Sequence, residues 1–111
     1  VSVILKLNEK YQELLQSETG AFRIPNHRFC KKLIDELKMP LVSTSVNRTG
    51  SEPLNDPSQI IQEFSNEVDT IFYSDKKSFF ASSTLIDLNK SEPVLVREGK
   101  IKFVELMKKL N

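Results

Sequence analysis

The sequence has one cysteine, Cys30, and one histidine, His27. A single thiol excludes an intrachain disulfide, and one Cys with one His cannot build a zinc site of the usual four-ligand kind. Only three glycines occur, Gly20, Gly50 and Gly99, and no tryptophan. Neither a Gly-x-x-x-x-Gly-Lys-Ser/Thr loop nor a Gly-x-Gly-x-x-Gly turn is present, so a nucleotide would be held without a P-loop. No apolar run approaches the roughly 20 residues that cross a bilayer, and no charged-then-apolar signal segment opens the chain. These absences predict a cytoplasmic protein with no membrane partner. Charge of one sign is also lacking: 16 basic against 15 acidic residues leave a net charge of +1. Such a balance gives no general attraction to nucleic acid, so affinity for an anion has to be local.

What is present is the composition of one globular domain, 39% hydrophobic and 28% charged over 111 residues. Val1, Val3, Leu5 and Leu7 alternate with Ile4 on the other side, which predicts a strand over 1–7 buried largely on both faces. Asn8 caps a short helix through Ser17 with Tyr11, Leu14 and Leu15 inward, Gly20 ends the connection, and 21–24 is a second strand. A helix capped at Asn26 then runs to about Lys38, with Phe29, Cys30, Leu33, Ile34 and Leu37 on one face. Pro40 ends it before a strand at 41–44. Asp56-Pro57-Ser58-Gln59 is a helix start with a cap, a first-turn proline and the elements of a capping box. Ile60, Ile61 and Phe64 form that helix's buried face. Strands are expected at 70–73, 83–88 and 94–97, then a terminal helix with Phe103, Leu106, Met107 and Leu110 inward. The alternation predicts an α+β fold, a twisted mixed sheet flanked by helices.

The chemistry concentrates in Pro40-Leu41-Val42-Ser43-Thr44-Ser45-Val46-Asn47-Arg48-Thr49-Gly50, where an apolar segment runs into hydroxyls and an amide and stops at a glycine. On a strand, Ser43 and Ser45 would face one side and Thr44 the other. Arg23 and Arg97 each follow a short apolar run, and arginine's planar fork suits a carboxylate or phosphate. Surface arginines at strand ends, and a Ser/Asn turn bonded only to itself, are the ordinary alternatives. Ser82-Ser83-Thr84 repeats the hydroxyl pattern before Leu85-Ile86-Asp87-Leu88. His27, with no partner at a recognisable spacing, reads as an exposed helix residue, and Cys30 as part of the apolar face.

Taken in order, Arg23-x-Pro25, Pro40 to Gly50, Ser83-Thr84-Leu85-Ile86-Asp87 and Arg97-Glu98-Gly99 resemble the motifs of the YrdC-type threonylcarbamoyl-AMP synthases over nearly the whole chain. The resemblance implies a nucleotidyltransferase that joins L-threonine, bicarbonate and ATP into threonylcarbamoyl-AMP and pyrophosphate, for the t6A modification of tRNA. The transferase machinery downstream and tRNA itself would be indirect partners. It further implies that Arg23, Ser43 and Ser83 hold L-threonine, with Arg23 on its carboxylate. Thr19, Ser45, Asn47 and Arg97 would lie along ATP, with Arg97 at the phosphates. ATP serves as substrate, and Mg2+ would accompany it, held mainly by phosphate and water because no carboxylate is an obvious ligand.

Departures from the family pattern are local. Val46 stands where alanine is usual and Thr49 where serine is usual, and Tyr73-Ser74-Asp75-Lys76-Lys77 replaces an Asp-Gly-Gly turn. The family's Thr-Tyr-Gly strand and Lys-x-Arg motif do not occur, so residues 1–111 resemble the C-terminal portion of one YrdC-like domain. Little or no activity is expected of them alone. The competing readings are a carbamoyl-adenylate-handling domain of a carbamoyltransferase, a non-catalytic RNA-binding module, and an inert portion with exposed strand edges.

Overall fold

A computed structural model describes residues 1–74 and 81–110; it comprises two compact units, Val1–Met39 with Ala81–Asn111, and Pro40–Phe80. The fold is α+β, with a mixed four-stranded sheet and four helices among the described residues.

The first unit holds the whole sheet. Strand β1 is Ser2–Lys6, β2 Thr19–Phe22, β3 Leu85–Asp87 and β4 Val94–Arg97, in the order β2-β1-β3-β4. β1 pairs antiparallel with β2 and parallel with β3, and β3 pairs antiparallel with β4. Parallel strands cannot be joined by a tight turn, so the chain travels from Lys6 through most of its length before returning as β3.

Helix α1 (Glu9–Leu15) is capped as expected: the Asn8 side chain accepts from the Tyr11 amide. Gln12 Nε2 donates to the Leu7 carbonyl at 2.6 Å and ties α1 back to β1. The helix ends in Gln16, in the left-handed region at φ 49°, not at Ser17, so β2 begins two residues earlier than the pattern predicts. Helix α2 (Arg28–Leu37) starts one residue later than an Asn26 cap would allow; His27 is the cap residue and its side chain makes no capping bond. Helix α4 (Phe103–Leu110) follows Glu98, whose carboxylate accepts from the Phe103 amide at 3.3 Å and from Lys102 Nζ at 2.9 Å. A negative charge at that end suits the helix dipole.

Burial departs from expectation. Leu7 and Ile86 are the buried hydrophobic residues among those described, and Thr84 is the most buried polar one. β1 is half-buried at Ser2, Val3 and Ile4 and exposed at Leu5 and Lys6, which corrects the reading of a strand covered on both faces. Leu14 and Leu15 of α1, and Phe29 and Leu37 of α2, are exposed, whereas Tyr11, Cys30, Leu33 and Ile34 are half-buried. The reason lies in packing: the main element-to-element contacts are strand on strand, and the apolar helix stripes are only partly covered. Phe103, Leu106 and Met107 are half-buried, while the inward placement of Leu110 and the turn at Asp75-Lys76-Lys77 lie outside the described side chains.

The second unit contains helix α3 (Pro57–Phe64), built as the sequence predicts. Asp56 accepts from the Ser58 amide at 2.8 Å and Pro57 opens the helix, and Ile60, Ile61 and Phe64 are half-buried. The strands expected at 41–44 and 70–73 do not form. A strand is a paired object, and β-propensity alone does not make one without a neighbour to complete its ladder.

Candidate functional site

Strand directions bring several predicted residues to one end of the sheet. β1 and β3 both begin there, with Ser2 opposite Leu85. β2 runs the other way and pairs Phe22 with Val3, so Arg23 leaves the sheet beside Ser2. β4 ends there too, with Arg97 opposite Leu85. Arg23, Ser83 and Arg97, more than seventy positions apart at the extremes, therefore share one sheet end.

A bulge sets the last of these. Ile86 pairs with Leu95 but Leu85 pairs with Arg97, so Val96 has no partner of its own. An extra residue in one strand bends it and re-aims the side chains beyond. Without it, Leu85 would face Val96, and Arg97 would lie one step past the pairing. With it, Arg97 donates from Nε at 3.3 Å and from Nη2 at 3.1 Å to the Ser83 carbonyl.

Ser83 is fixed from three directions. Arg97 holds its carbonyl, and its hydroxyl lies 2.8 Å from that of Ser2. Its successor Thr84 is 1% exposed, accepts from the Gly99 amide at 3.0 Å and donates to the Ile101 carbonyl. The Ser2 amide donates to the Thr84 carbonyl at 2.7 Å, and the Lys100 amide to the Ser82 carbonyl at 3.0 Å. The hydroxyl-rich entrance to β3 is thus a rigid backbone carrying a half-buried serine. Ser2 escaped the sequence reading; its one signal is a hydroxyl interrupting an otherwise apolar strand.

Thr19 does not join this end. It opens β2 opposite Lys6, at the far end of the sheet, with its carbonyl bonded to the Ser17 hydroxyl at 2.8 Å. At that same far end the Asp87 carboxylate accepts from the Asn89 amide at 2.8 Å and from Asn89 Nδ2 at 2.7 Å, which hold it below the usual carboxylate range.

Ser43, Ser45 and Asn47 belong to the second unit. Residues 41–44 are not a strand, so the expected alternation of Ser43 and Ser45 against Thr44 does not apply. Thr44 Oγ1 donates to the Ser45 carbonyl at 3.0 Å, and Ser43 and Ser45 are exposed. Asn47 Nδ2 donates to the carbonyls of Arg48 and Ser51, each at 3.0 Å. The Ser51 amide returns to the Arg48 carbonyl at 2.9 Å, and Gly50, at φ 82°, occupies the turn's third position. That position needs a positive φ, which glycine adopts without strain. The Leu54 amide closes the loop on the Val46 carbonyl at 2.8 Å.

Arg48 anchors this loop to α3. Its Nε donates to Glu63 at 3.2 Å, its Nη1 to Glu67 at 2.9 Å, and its guanidinium stacks 4.6 Å from the centre of the Phe64 ring. Hydrogen bonding to Arg48 lowers the Glu67 pKa, and hydrogen bonding to Glu67 raises that of Arg48.

His27 and Cys30, read separately from the sequence, meet at 3.6 Å between Nδ1 and Sγ on one turn of chain. Among the described residues no three His, Cys, Asp or Glu side chains come together as metal ligands, and no helix is long and apolar enough to cross a membrane.

The Sua5/YciO/YrdC family model, described as "Telomere recombination", matches residues 1–99. The chain belongs to this family. It is 29% identical over 91 residues to a threonylcarbamoyl-AMP synthase of Pyrococcus abyssi, covering 82% of this chain and 27% of that protein. It is 35% identical over 94 residues to the uncharacterized protein YciO of Escherichia coli, 79% of this chain and 44% of the relative. Over 73 residues it is 37% identical to a threonylcarbamoyl-AMP synthase of Idiomarina loihiensis, 64% of this chain and 39% of the relative. The chain thus spans less than half the length of these curated relatives. No solved structure gives a significant match.

Proposed function

We propose that this chain serves in the synthesis of threonylcarbamoyl-AMP from L-threonine, bicarbonate and ATP. The observation that carries the reading is the gathering of Arg23, Ser83 and Arg97 at one sheet end by the strand directions and the β4 bulge, in a chain of this family. Arg23 and Ser83 are assigned to L-threonine, Arg23 pairing its carboxylate. Arg97 is assigned to the ATP phosphates; Thr19, at the far end of the sheet, is not joined to it. In the reaction, the threonine amino group and bicarbonate condense to a carbamate with loss of water; a carbamate oxygen then attacks the α-phosphorus, and the bond to the β-phosphate breaks to release pyrophosphate. Three anions must approach one another, so the protein's task is alignment and charge neutralisation, which arginines and hydroxyls perform without a covalent nucleophile. Magnesium would enter with the triphosphate; no side-chain cluster described above fits it, and no step is assigned to it.

The test is titration of the chain with L-threonine, with and without ATP, followed by two-dimensional amide NMR beside Arg23→Ala and Arg97→Ala. The reading expects localised shifts at 23, 83 and 97 that disappear in the variants. A dispersed spectrum that responds to neither ligand would overturn it, and salt-sensitive RNA binding indifferent to both ligands would replace it with the RNA-module reading.

A further inference from the structure

Ser2 has no role in the function proposed above, yet it is the only described residue whose side chain is bonded to the Ser83 hydroxyl. Three features make this contact more than a surface coincidence. First, Ser2 is registered: its amide donates to the Thr84 carbonyl at 2.7 Å and its Cα partner in the parallel ladder is Leu85, so its backbone is held beside Ser83. Second, both serines are half-buried, which limits competition from water. Third, the other restraints on this segment fall on groups other than the Ser83 hydroxyl: Arg97 on the Ser83 carbonyl, Gly99 and Ile101 on the Thr84 hydroxyl, Lys100 on the Ser82 carbonyl. They place Ser83 but leave its hydroxyl free to rotate.

We infer that Ser2 is a positioning residue, whose hydroxyl holds that of Ser83 in one orientation so that the remaining hydrogen-bonding capacity of Ser83 is presented to L-threonine. A hydroxyl has one proton and two lone pairs. Spending one of these on Ser2 decides which are left for a ligand. The inference rests on the assignment of Ser83 to L-threonine.

The experiment measures L-threonine affinity of the full chain by calorimetry and amide NMR for Ser2→Ala, Ser83→Ala, the double variant, Ser2→Thr and Ser2→Val. Losing one hydrogen bond of this kind weakens binding by about 3- to 10-fold, and that is expected of Ser2→Ala. Ser2→Thr restores affinity, whereas Ser2→Val, of the same shape without the hydroxyl, does not; this pair serves equally should Ser2→Ala fold poorly. The double variant binds no worse than Ser83→Ala, because the two hydroxyls act as one unit. Wild-type affinity in Ser2→Ala, additive losses in the double variant, or equal behaviour of Ser2→Thr and Ser2→Val would each overturn the inference while leaving Ser83 in its assigned role. Unchanged affinity in Ser83→Ala would instead remove that assignment, and the inference with it.

Discussion

The amide of Gly99 donates to the buried hydroxyl of Thr84 at 3.0 Å, and this bond joins the end of β4 to the entrance of β3. The approach is so close that a Cβ on Gly99 would lie 2.2 Å from the Ser82 carbonyl oxygen, 2.4 Å from the Thr84 nitrogen and 2.5 Å from the Ser83 carbonyl carbon. All three are backbone atoms, and none can turn aside. The segment that carries Ser83 is therefore pressed directly against the Arg-Glu-Gly turn.

Gly99→Ala is expected to destabilise the fold by about 1–3 kcal/mol or more through overpacking and to disturb the Ser83 amide resonance. Urea unfolding of the variant beside wild type checks the first, and its amide spectrum the second.

Gly50 offers the contrasting case. It has φ 82° with nothing within 4 Å of an added Cβ. The cost of Gly50→Ala is conformational only, about 1–2 kcal/mol, and its effect is confined to the loop of the second unit. Equal effects of the two alanine substitutions across both units would contradict the distinction.

Thr84→Val keeps the shape of the side chain and removes the hydroxyl, leaving the Gly99 amide and the Ile101 carbonyl without their partner. A loss of about 1–3 kcal/mol is expected, while Thr84→Ser retains both bonds and loses less. Thermal melts of the two variants order them.

Arg48→Lys should loosen the second unit, because a single ammonium cannot reproduce the fork that meets Glu63 and Glu67 at once. Amide hydrogen exchange over 57–64 should speed up in the variant, with the difference narrowing in about 1 M salt, where surface charges are screened. Exchange unchanged at low salt would show that the pairs hold nothing.

Stability should fall with acid for a stated reason. Glu67, bonded to Arg48, Glu98, bonded to Lys102 and the Phe103 amide, and Asp87, bonded to Asn89, all titrate below their ordinary values of 4.5, 4.5 and 3.8 in the folded chain. A lowered folded pKa means that the unfolded chain takes up protons first, so stability from these groups is complete above about pH 4.5 and lost as pH falls through the folded values. Lys102, raised above 10.5 by Glu98, works oppositely: its share is complete below pH 10.5 and lost as pH rises through the folded value. Urea midpoints measured across both ranges, with Glu98→Gln removing the Glu98 and Lys102 shares, test the two signs.

Local signals were legible at several points where a residue acts on its own neighbours, though not at Asn26, whose expected cap falls instead to His27. Asn8 and Asp56 cap their helices, Pro57 opens α3, and β4 has the limits its apolar run suggests, since capping, ring geometry and short-range hydrogen bonding need only a few residues of context. Segment 41–44 has the composition of a strand and lacks the neighbour that would make it one. The stripes on α1 and α2 were readable as apolar, but Leu14, Leu15, Phe29 and Leu37 are exposed, because a stripe states what a helix could bury and not what lies against it.

Ordered motifs along the chain were enough to place it in its family, and Arg23, Ser83 and Arg97 were nameable as candidates because their chemistry is written in residue type. Their meeting was not. It depends on β1 running parallel to β3 while β2 and β4 run against them, and on one unpaired residue, Val96, that shifts the register so that Arg97 reaches the Ser83 carbonyl. Strand pairing and bulges are set by hydrogen bonds between segments distant in the chain, which leave no periodic trace in either segment. For the same reason Ser2, one hydroxyl in an apolar strand, acquires a partner 81 positions away only when the ladder is built.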